Sequence, residues 1–437
     1  MSGRLSAYVA QERTRRAALR TRLSRDSRAA LGRRAGRIGL FPAVLLALLA
    51  GLGVAFVAYG LLRLITPVDA SRAAAEIDVT RVALTVVAGV GGVVALVIAY
   101  RRQRDLEQSR FVERFGAAAA QLGATDVAVR IAGVYAMAGA ADESEGLRRQ
   151  QCIDVLCGYL RLPYSPELGA NHQSKLVVKQ HRATADGTLA DDQEHHLEYR
   201  HNDREVRATI IRVIADRLRQ SAEDSWSTSA FDFRTAHLED ADLSGVTFSG
   251  PARFDGVTFA GPASFDWSIF SSFAVFSNAT FSRNARFSEV AFASSAVFDE
   301  TTFSGNAVFD KATFAGSARF NGTTFSGDAR FSEAGFTEHG WFSEVTFCSD
   351  AWFEGATFYS FASFERAAFS GPARFNEATF SSDAWFVNVD FGTETISFVR
   401  PKRWGPPAPV FDWDQAASSK PTNVEPQDWP PAPAAAS

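Results

Sequence analysis

The feature that most constrains this chain is an eleven-residue repeat of the form Ala-x-Phe-x-x-x-x-Phe-x-x-x. Both phenylalanine positions hold in all thirteen consecutive units, from Phe254 and Phe259 to Phe386 and Phe391. A fixed period with constant apolar positions predicts a solenoid, in which each coil buries its apolar side only against its neighbours. The units begin at Ala252, Ala263, Ala274, Ala285, Ala296, Ala307, Ala318, Ala329, Gly340, Ala351, Ala362, Ala373 and Ala384.

The residue types at the repeated positions indicate how the interior is filled. Phenylalanine side chains bury roughly 150–250 Å² each and stack well in offset columns. The residue two places before the second phenylalanine is small or β-branched, as at Val257, Ser268 and Ala279. We therefore expect a filled interior with no ligand cavity.

Just upstream, apolar residues are spaced by five from Phe233 to Phe248. The blocks 236–240 (Ala-His-Leu-Glu-Asp) and 241–245 (Ala-Asp-Leu-Ser-Gly) resemble the Ala-(Asp/Asn)-Leu-x-x consensus of pentapeptide-repeat proteins. The resemblance covers residues 231–394, where the eleven-residue unit corresponds to two pentapeptides plus one residue. Phenylalanine replaces leucine at nearly every centre, which departs from the family pattern.

This resemblance implies a right-handed, four-sided parallel β-helix with one pentapeptide per side and about 22 residues per coil. At about 4.8 Å between coils, the thirteen units would form a rod on the order of 30–35 Å long. The fold class expected for the whole chain is multi-domain: a two-helix transmembrane hairpin, a helical middle region and this β-helix.

Both ends of such a rod expose strand edges that could pair with other chains. At the first end we expect the last helix of the middle region and Trp226 to cover the edge. Trp404, Phe411 and Trp413 are candidates for covering the second. The Pro- and Ala-rich segment 415–437 is predicted to be disordered.

Two apolar runs, Ile38 to Leu62 and Val82 to Tyr100, precede the helical region. Each has at least 19 residues without a charge, about the length that a helix needs to cross a bilayer core. Neither run has a polar face, and neither is typical of a secretory signal. The sequence therefore predicts a transmembrane hairpin and a direct partner in the lipid bilayer.

The flanking charges predict the orientation of this hairpin. Residues 1–37 contain 11 arginines and two acids, three arginines follow the second run, and the 63–81 connection is balanced. By the positive-inside rule both termini and the repeats are cytoplasmic, in a multi-pass protein of the inner (plasma) membrane. The arginines would also attract anionic lipid headgroups. Small-residue pairs such as Ala88 and Gly92 suit packing within the hairpin or a homo-oligomer.

Residues 101–230 are predicted to be a helical linker domain. Asp126 or Thr125 can cap one helix, another covers Arg149–Arg161, and a further one runs from Glu205 to Arg219. The interruption at 167–203 is polar and predicts a mobile loop. Its histidines His195, His196 and His201 follow no metal-ligand spacing, so we expect a solvated loop without metal.

These observations divide the chain into five predicted regions. They are a basic N-terminal segment (1–37), the transmembrane hairpin (38–100), the helical linker (101–230), the β-helix (231–398), and a cap with a disordered tail (399–437).

Charged and aromatic residues beside the first phenylalanine of each unit are candidates for binding a protein partner. An alternative is that the charges only keep the rod soluble and that the tryptophans pack against each other. The acids are expected to align in stripes along a rod that carries a net charge of −12 over residues 231–398. The candidates are Trp341, Trp352, Trp385, Arg319, Arg330, Arg374, Asp299, Asp310, Glu333 and Glu344.

No arrangement of residues typical of an enzyme site is evident. The two histidines of the repeats, His237 and His339, lie in no Ser/His/Asp pattern, and there is no phosphate-binding glycine loop. The three cysteines are too scattered for a disulfide framework or zinc site, so reduced thiols are expected. We predict no catalytic residues, no cofactor and no metal.

The main functional hypothesis is a membrane-tethered, non-enzymatic scaffold that binds a protein not identified by the sequence. A second hypothesis follows from the family resemblance: soluble members that mimic DNA bind type II topoisomerases, and the acidic rod allows this partner. A third is an accessory or sensor subunit of a membrane signalling or transport system acting through the 63–81 connection. Direct binding of nucleic acid is not expected.

Overall fold

The computed structural model describes residues 53, 56–57, 75–164, 175–180, 193–198, 203–414 and 419–434. Most of the first apolar run and all of residues 1–37 lie outside this part of the chain. Among the residues described, no helix combines the length and hydropathy that crossing a membrane requires. The chain divides into two compact units, residues 1–110 and 111–437.

Among the described residues, four helices with defined bounds precede the repeats. Helix α1 (Ala75–Leu122) joins the second apolar run and the following amphipathic segment without a break. Helix α2 (Val127–Asp142) begins at the predicted cap, where the Asp126 carboxylate accepts hydrogen bonds from the N–H groups of the first turn. Helices α3 (Leu147–Arg161) and α4 (Asp203–Leu218) start two residues earlier than their sequence patterns predicted.

The polar interruption contains regular structure, so the prediction of a loop throughout 167–203 was wrong. Strands β1 (Lys175–Gln180) and β2 (Gln193–Glu198) pair in antiparallel register. His195 and His196 lie within β2, opposite Val178 and Val177. Strand β1 contains the short apolar run 176–178 (Leu-Val-Val), whose β-branched valines suit a strand, but the surrounding polar composition obscured this signal.

Residues 231–414 together with the strand Val424–Glu425 form a parallel, right-handed-type β-solenoid of about eight turns with four sheets. We number its faces 1 to 4 in the order in which the chain crosses them. The register advances by 22 residues, as between Ala274 and Ala296, so each coil holds two eleven-residue units as predicted. Eight coil intervals along face 1 give a length of about 38 Å at 4.7–4.9 Å each.

The strands are short, and each of the described faces stacks seven to nine of them. Face 1 contains Phe231–Asp232, Ala252–Arg253, Ala274–Val275, Ala296–Val297, Ala318–Arg319, Gly340–Trp341, Ala362–Ser363, Ala384–Phe386 and Val410–Phe411. Face 2 contains His237–Leu238, Thr258–Phe259, Thr280–Phe281, Thr302–Phe303, Thr324–Phe325, Thr346–Phe347 and Ala368–Phe369. Face 3 contains Ala241–Asp242, Ala263–Ser264, Ala285–Arg286, Ala307–Val308, Ala329–Arg330, Ala351–Trp352, Ala373–Arg374, Ile396–Ser397 and Val424–Glu425. Face 4 contains Thr247–Phe248, Ile269–Phe270, Ala291–Phe292, Thr313–Phe314, Gly335–Phe336, Thr357–Phe358, Thr379–Phe380 and Arg403–Trp404.

The interior consists of columns of phenylalanine rings, one behind each face. Within a column the rings stack almost in parallel, with centroids 4.9 Å apart and planes 2° apart for Phe298 and Phe320. Rings from faces 1 and 3 meet edge to face, as Phe298 and Phe309 do at 5.5 Å and 87°. Both geometries are favourable for aromatic quadrupoles. The buried rings and the small buried residues beside them fill the interior, as the sequence predicted.

Two of the four corners contain a residue in the left-handed region of φ. The residue two after the first phenylalanine of each unit has this conformation, with φ of 56° at Glu300 and 57° at Lys311. The third residue of a type II turn has positive φ, and the i to i+3 hydrogen bond is present, as from Thr301 N to Phe298 O (3.2 Å). A non-glycine side chain there carries some backbone strain.

Helices α2 to α4 cover the first coil, as expected for one end of the rod. Trp226 is fully buried, and its Nε1 donates to Asp142 Oδ1 at 2.8 Å. The buried guanidinium of Arg207 donates to the carbonyl of His237 in the first coil at 3.0 Å. Gln150 on α3 exchanges two hydrogen bonds with the backbone of Ala230. Helices and solenoid thereby share one continuous core.

The second end is capped by the segment that was predicted to be disordered, so that prediction was wrong for residues 419–434. Val424–Glu425 adds a strand to face 3 beside Ile396–Ser397. Trp429 packs edge to face on Phe411, with ring centroids 4.9 Å apart. Trp404 and Trp413, as expected, also contact this cluster. The Pro-rich composition concealed these apolar anchors, whose burial offsets the ordering entropy.

Candidate protein-interaction surface

The three tryptophans that the sequence placed in one group lie on two opposite sides of the solenoid. Trp341 and Trp385 are on face 1, two coils apart and separated by Ser363. Trp352 is on face 3, between Arg330 and Arg374. Consecutive eleven-residue units are half a coil apart, so the same repeat position in two consecutive units lies on opposite faces.

On face 3 the chain itself supplies a cation for its tryptophan. The guanidinium carbon of Arg374 lies 3.9 Å from the centroid of the Trp352 ring. The same guanidinium forms an ion pair with Asp350 at 3.0 Å, and Arg330 pairs with Asp310 at 2.7 Å. The charged groups of this stretch therefore already have partners within the chain.

On face 1 the aromatic residues form a contiguous surface, which we call the aromatic cluster: His339, Trp341, Phe361 and Trp385. The Phe361 centroid lies 5.0 Å from that of Trp341 and 5.1 Å from that of Trp385, and His339 stacks on Trp341 at 6.0 Å. Ser363 is buried beneath these rings. Trp385 remains 43% exposed, so the cluster offers apolar ring surface to solvent.

Sequence reasoning missed His339 and Phe361, which complete this cluster. Each occupies the extra residue of an eleven-residue unit, at the corner between faces 4 and 1. At this corner Gly340 N donates to the Phe361 carbonyl (2.9 Å), and Ala362 N donates to the Asp383 carbonyl (3.0 Å). The signal was the 22-residue spacing of His339, Phe361 and Asp383, because residues one full coil apart are stacked. Tyr359, 60% exposed, lies two residues before Phe361.

The acids that follow the first phenylalanine of each unit alternate between two opposite corners. The corner between faces 1 and 2 contains Asp255, Asp299, Glu300, Glu344 and Glu365, and the corner between faces 3 and 4 contains Asp266, Glu289, Asp310, Glu333, Glu354 and Glu377. Basic and neutral residues interrupt both columns, as Lys311 does between Glu289 and Glu333. In the described coils the acids therefore align in two corner columns, but neither column is continuous.

Several predicted partner-binding charges instead connect one coil to the next. Asp299 pairs with Arg319 at 2.6 Å, and Asp310 pairs with Arg330. Asp266 is almost fully buried, pairs with Arg286, and accepts the N–H of Ser288 at 2.8 Å. Linking one coil to the next is a role that the sequence analysis, which considered partner binding and solubility, did not include.

The two glutamates among the candidates differ in their surroundings. Glu344 forms an ion pair with Arg366 in the next coil at 3.1 Å, and both side chains are exposed. Glu333 is exposed at the opposite corner. An exposed ion pair contributes about 0–1 kcal/mol, so neither residue stands out energetically.

A small cavity lies where α4 meets the first coil. Its volume of about 20 Å³ is room for roughly one water molecule. Tyr164 donates to Glu239 at 2.7 Å, and burial followed by this hydrogen bond raises the pKa of Tyr164. Burial and the nearby Arg207 lower the pKa of His237. Tyr164 and Glu239 bind each other and Arg207 binds the His237 carbonyl, whereas the buried Nε2 of His237 has no hydrogen-bond partner among the described residues.

The remaining groups that could carry chemistry are the metal-binding residue types and the cysteines. In the described part of the chain, no three His, Cys, Asp or Glu side chains are placed to hold a metal ion. Burial raises the pKa of Cys152 to about 11 and that of Cys157 to about 12, which disfavours their thiolates. Cys348 is exposed on the solenoid.

Comparison with known proteins identifies the repeats. A sequence model of the family described as pentapeptide repeats (9 copies) matches residues 243–291, 287–335, 298–346 and 320–368. Residues 243–368 therefore carry pentapeptide repeats of this family. No curated protein and no solved structure matches it.

Proposed function

We propose that this protein is a membrane-tethered, non-enzymatic scaffold that binds a partner protein through its solenoid. The observation that carries the proposal is the exposed aromatic cluster on face 1. Aromatic residues are enriched in the energetic centres of protein interfaces, and contiguous exposed apolar surface is typical of interaction sites. The filled interior behind it suits a rigid display surface more than a site that encloses a substrate.

Tethering to a membrane is the second part of the proposal, and the apolar runs of the sequence support it. In helix α1, Leu96 and Ile98 are exposed at 72% and 61%. Arg101, Arg102 and Arg104 follow directly and are also exposed. An apolar stretch followed by bases suits a cytoplasmic membrane boundary. We expect the full chain to pellet with membranes through an alkaline wash, and a variant lacking 38–100 to be soluble; a soluble full chain would contradict the tether.

A topoisomerase partner is the competing candidate, favoured by the net charge of −12 over residues 231–398. Imitating the regular phosphates of a duplex requires an ordered array of negative charge. The acidic columns are interrupted, and ion pairs between coils engage several of the carboxylates. Fewer carboxylates are therefore free than the composition suggests. The sensor hypothesis depends on the 63–81 connection, most of which lies outside the described residues.

Site-specific photo-crosslinking in intact cells tests the scaffold. A photoreactive amino acid replaces Tyr359 beside the cluster, and in a matched variant it replaces Phe273, which is 42% exposed at the same corner between faces 4 and 1. We expect a reproducible crosslinked protein from position 359 and none from position 273. Replacing Trp341 and Trp385 by serine should remove the crosslink, while Trp267→Ser, at another exposed tryptophan, should retain it.

The same experiment separates the alternatives. Equal crosslinking from positions 359 and 273, or a crosslink that survives loss of both tryptophans, would contradict the assignment of the binding surface. Capture of a topoisomerase, abolished by neutralising the corner acids but not by the tryptophan variants, would favour the DNA mimic instead.

A further inference from the structure

The tryptophans of the aromatic cluster have no cation over their rings, whereas the chain places an arginine over its tryptophan on face 3. There, the residue in register one coil after Trp352 is Arg374, which lies over the indole ring. On face 1 the corresponding residue after Trp341 is Ser363, and after Trp385 it is Val410. Within the described residues, no arginine or lysine lies over either face 1 ring.

Two acids beside the cluster suit a cation, and Arg319, in register with Trp341 one coil earlier, is already paired with an acid. Glu338 precedes His339, and Asp383 lies two residues before Trp385. Both acids are exposed, and neither carboxylate has an ion-pair partner in the part of the chain that the structure describes. This differs from Asp299 and Asp310, whose carboxylates are paired with arginines of the next coil.

We propose that the aromatic cluster binds an arginine side chain presented by an extended basic segment of the partner protein, a conclusion that rests on the proposed scaffold function. The guanidinium stacks on the exposed indole of Trp385, as Arg374 stacks on Trp352. Glu338 and Asp383 attract the positive charge. Arginine fits better than lysine because its planar group stacks on aromatic faces and is more weakly hydrated.

The chain offers a variant that tests this geometry without removing a ring. Val410 is 41% exposed and occupies, relative to Trp385, the register position that Arg374 occupies relative to Trp352. Val410→Arg therefore supplies the missing cation from within the protein. It should compete with an external arginine, whereas the uncharged Val410→Gln should not.

The experiment measures binding of a labelled Gly-Arg-Gly-Arg-Gly-Arg peptide to the full chain in neutral detergent by fluorescence anisotropy. Peptides with lysine or with neutral citrulline in place of arginine are compared. We expect the citrulline peptide and the Trp341→Ser/Trp385→Ser variant each to lose affinity about tenfold or more. Val410→Arg should lower the affinity for the arginine peptide about fivefold, and Glu338→Gln/Asp383→Asn should lower it about threefold. Trp267→Ser should leave this affinity unchanged.

Each contrary result overturns the inference. Equal binding of arginine and citrulline peptides, or unchanged binding by Val410→Arg in a protein that still unfolds cooperatively, would exclude a stacked guanidinium. The chain has its own arginines in residues 1–37, so a variant with those 11 changed to glutamine is included. Peptide binding only by that variant would reassign the site to the chain's own basic segment.

The two experiments distinguish loss of the cation site from loss of the scaffold function. Crosslinks that depend on Trp341 and Trp385, with no preference for arginine peptides, would retain the scaffold and overturn the cation site. Arginine binding at the cluster without any crosslinked protein in cells would retain the cation site and overturn the scaffold.

Discussion

Face 1 and face 3 are built from the same eleven-residue unit, yet their outer surfaces differ. Both place tryptophan immediately before a buried phenylalanine, at Trp341 and Trp385 on one side and at Trp352 on the other. On face 3 the next coil covers the ring with Arg374. On face 1 the rings of Trp341 and Trp385 pack on His339 and Phe361, and no arginine or lysine of the described residues lies over them.

The difference shows that the repeat determines the inside of a solenoid and leaves its outside free. Interior positions must match the coil above and the coil below, so they tolerate little variation. Outer positions need only avoid clashes, and one substitution in the next coil changes whether a ring is covered. Function in this chain is therefore expected where the outer pattern changes.

The largest effect should come from the interior, where the two faces are equivalent. Phe298→Ala behind face 1 and Phe309→Ala behind face 3 each remove a fully buried ring stacked on both sides. Each should lower the free energy of unfolding by about 3–5 kcal/mol, measured by urea denaturation. Values differing by more than about 2 kcal/mol would break the equivalence of the two faces.

The next effect distinguishes the faces by partner binding. Trp341→Ser/Trp385→Ser should lower the yield of crosslink from position 359 about tenfold or more, because hot-spot aromatics carry most interface energy. Trp352→Ser on face 3 should leave the yield within about twofold, since its ring faces away from this surface. Loss of the crosslink in the Trp352 variant would show that the surfaces are not independent.

For the free energy of unfolding we expect the opposite order, with the larger loss from the tryptophan variant on face 3. Trp352→Ser removes the ring on which Arg374 stacks and should cost about 1–2 kcal/mol of unfolding free energy. Trp385→Ser, at a 43% exposed position, should cost about 0.5 kcal/mol. Denaturation of the two variants in parallel checks this, and an equal cost would remove the distinction between a covered and an uncovered tryptophan.

The smallest expected effect concerns the corners, where the two halves of the coil are again alike. Glu300 and Lys311 have positive φ on opposite corners. Replacing either by valine should cost about 1 kcal/mol, since a β-branched residue tolerates this conformation poorly. Glycine at the same positions should be neutral or slightly stabilising, as thermal unfolding can show.

Much of the fold could be predicted, and the reasons are specific. The invariant spacing of Phe254 and Phe259 established the period, and the family resemblance supplied the coil of about 22 residues. The capping role of Trp404 followed from isolated aromatics after the last unit. The strand at Val424–Glu425 could not be foreseen, because a two-residue strand carries no periodic signal and its pairing partner is 28 residues away.

The site was predicted less completely. Trp341 and Trp385 were identified, but Trp352 was grouped with them and Phe361 was omitted. Grouping by position in the repeat ignores that one unit is half a coil. Arg319, Arg330 and Arg374 were predicted to be partner-binding candidates, and in the structure each pairs with an acid elsewhere on the rod.

The amino-acid sequence alone determined the interior, because an invariant apolar residue at a constant period can be buried only by stacking on its own copies. Only the tertiary structure decided the exterior. Which outer residues meet depends on the 22-residue register, the corner turns and the neighbouring coil, and these contacts join residues that no local pattern connects. Arg374 over Trp352, and the uncovered ring of Trp385, are differences of that kind.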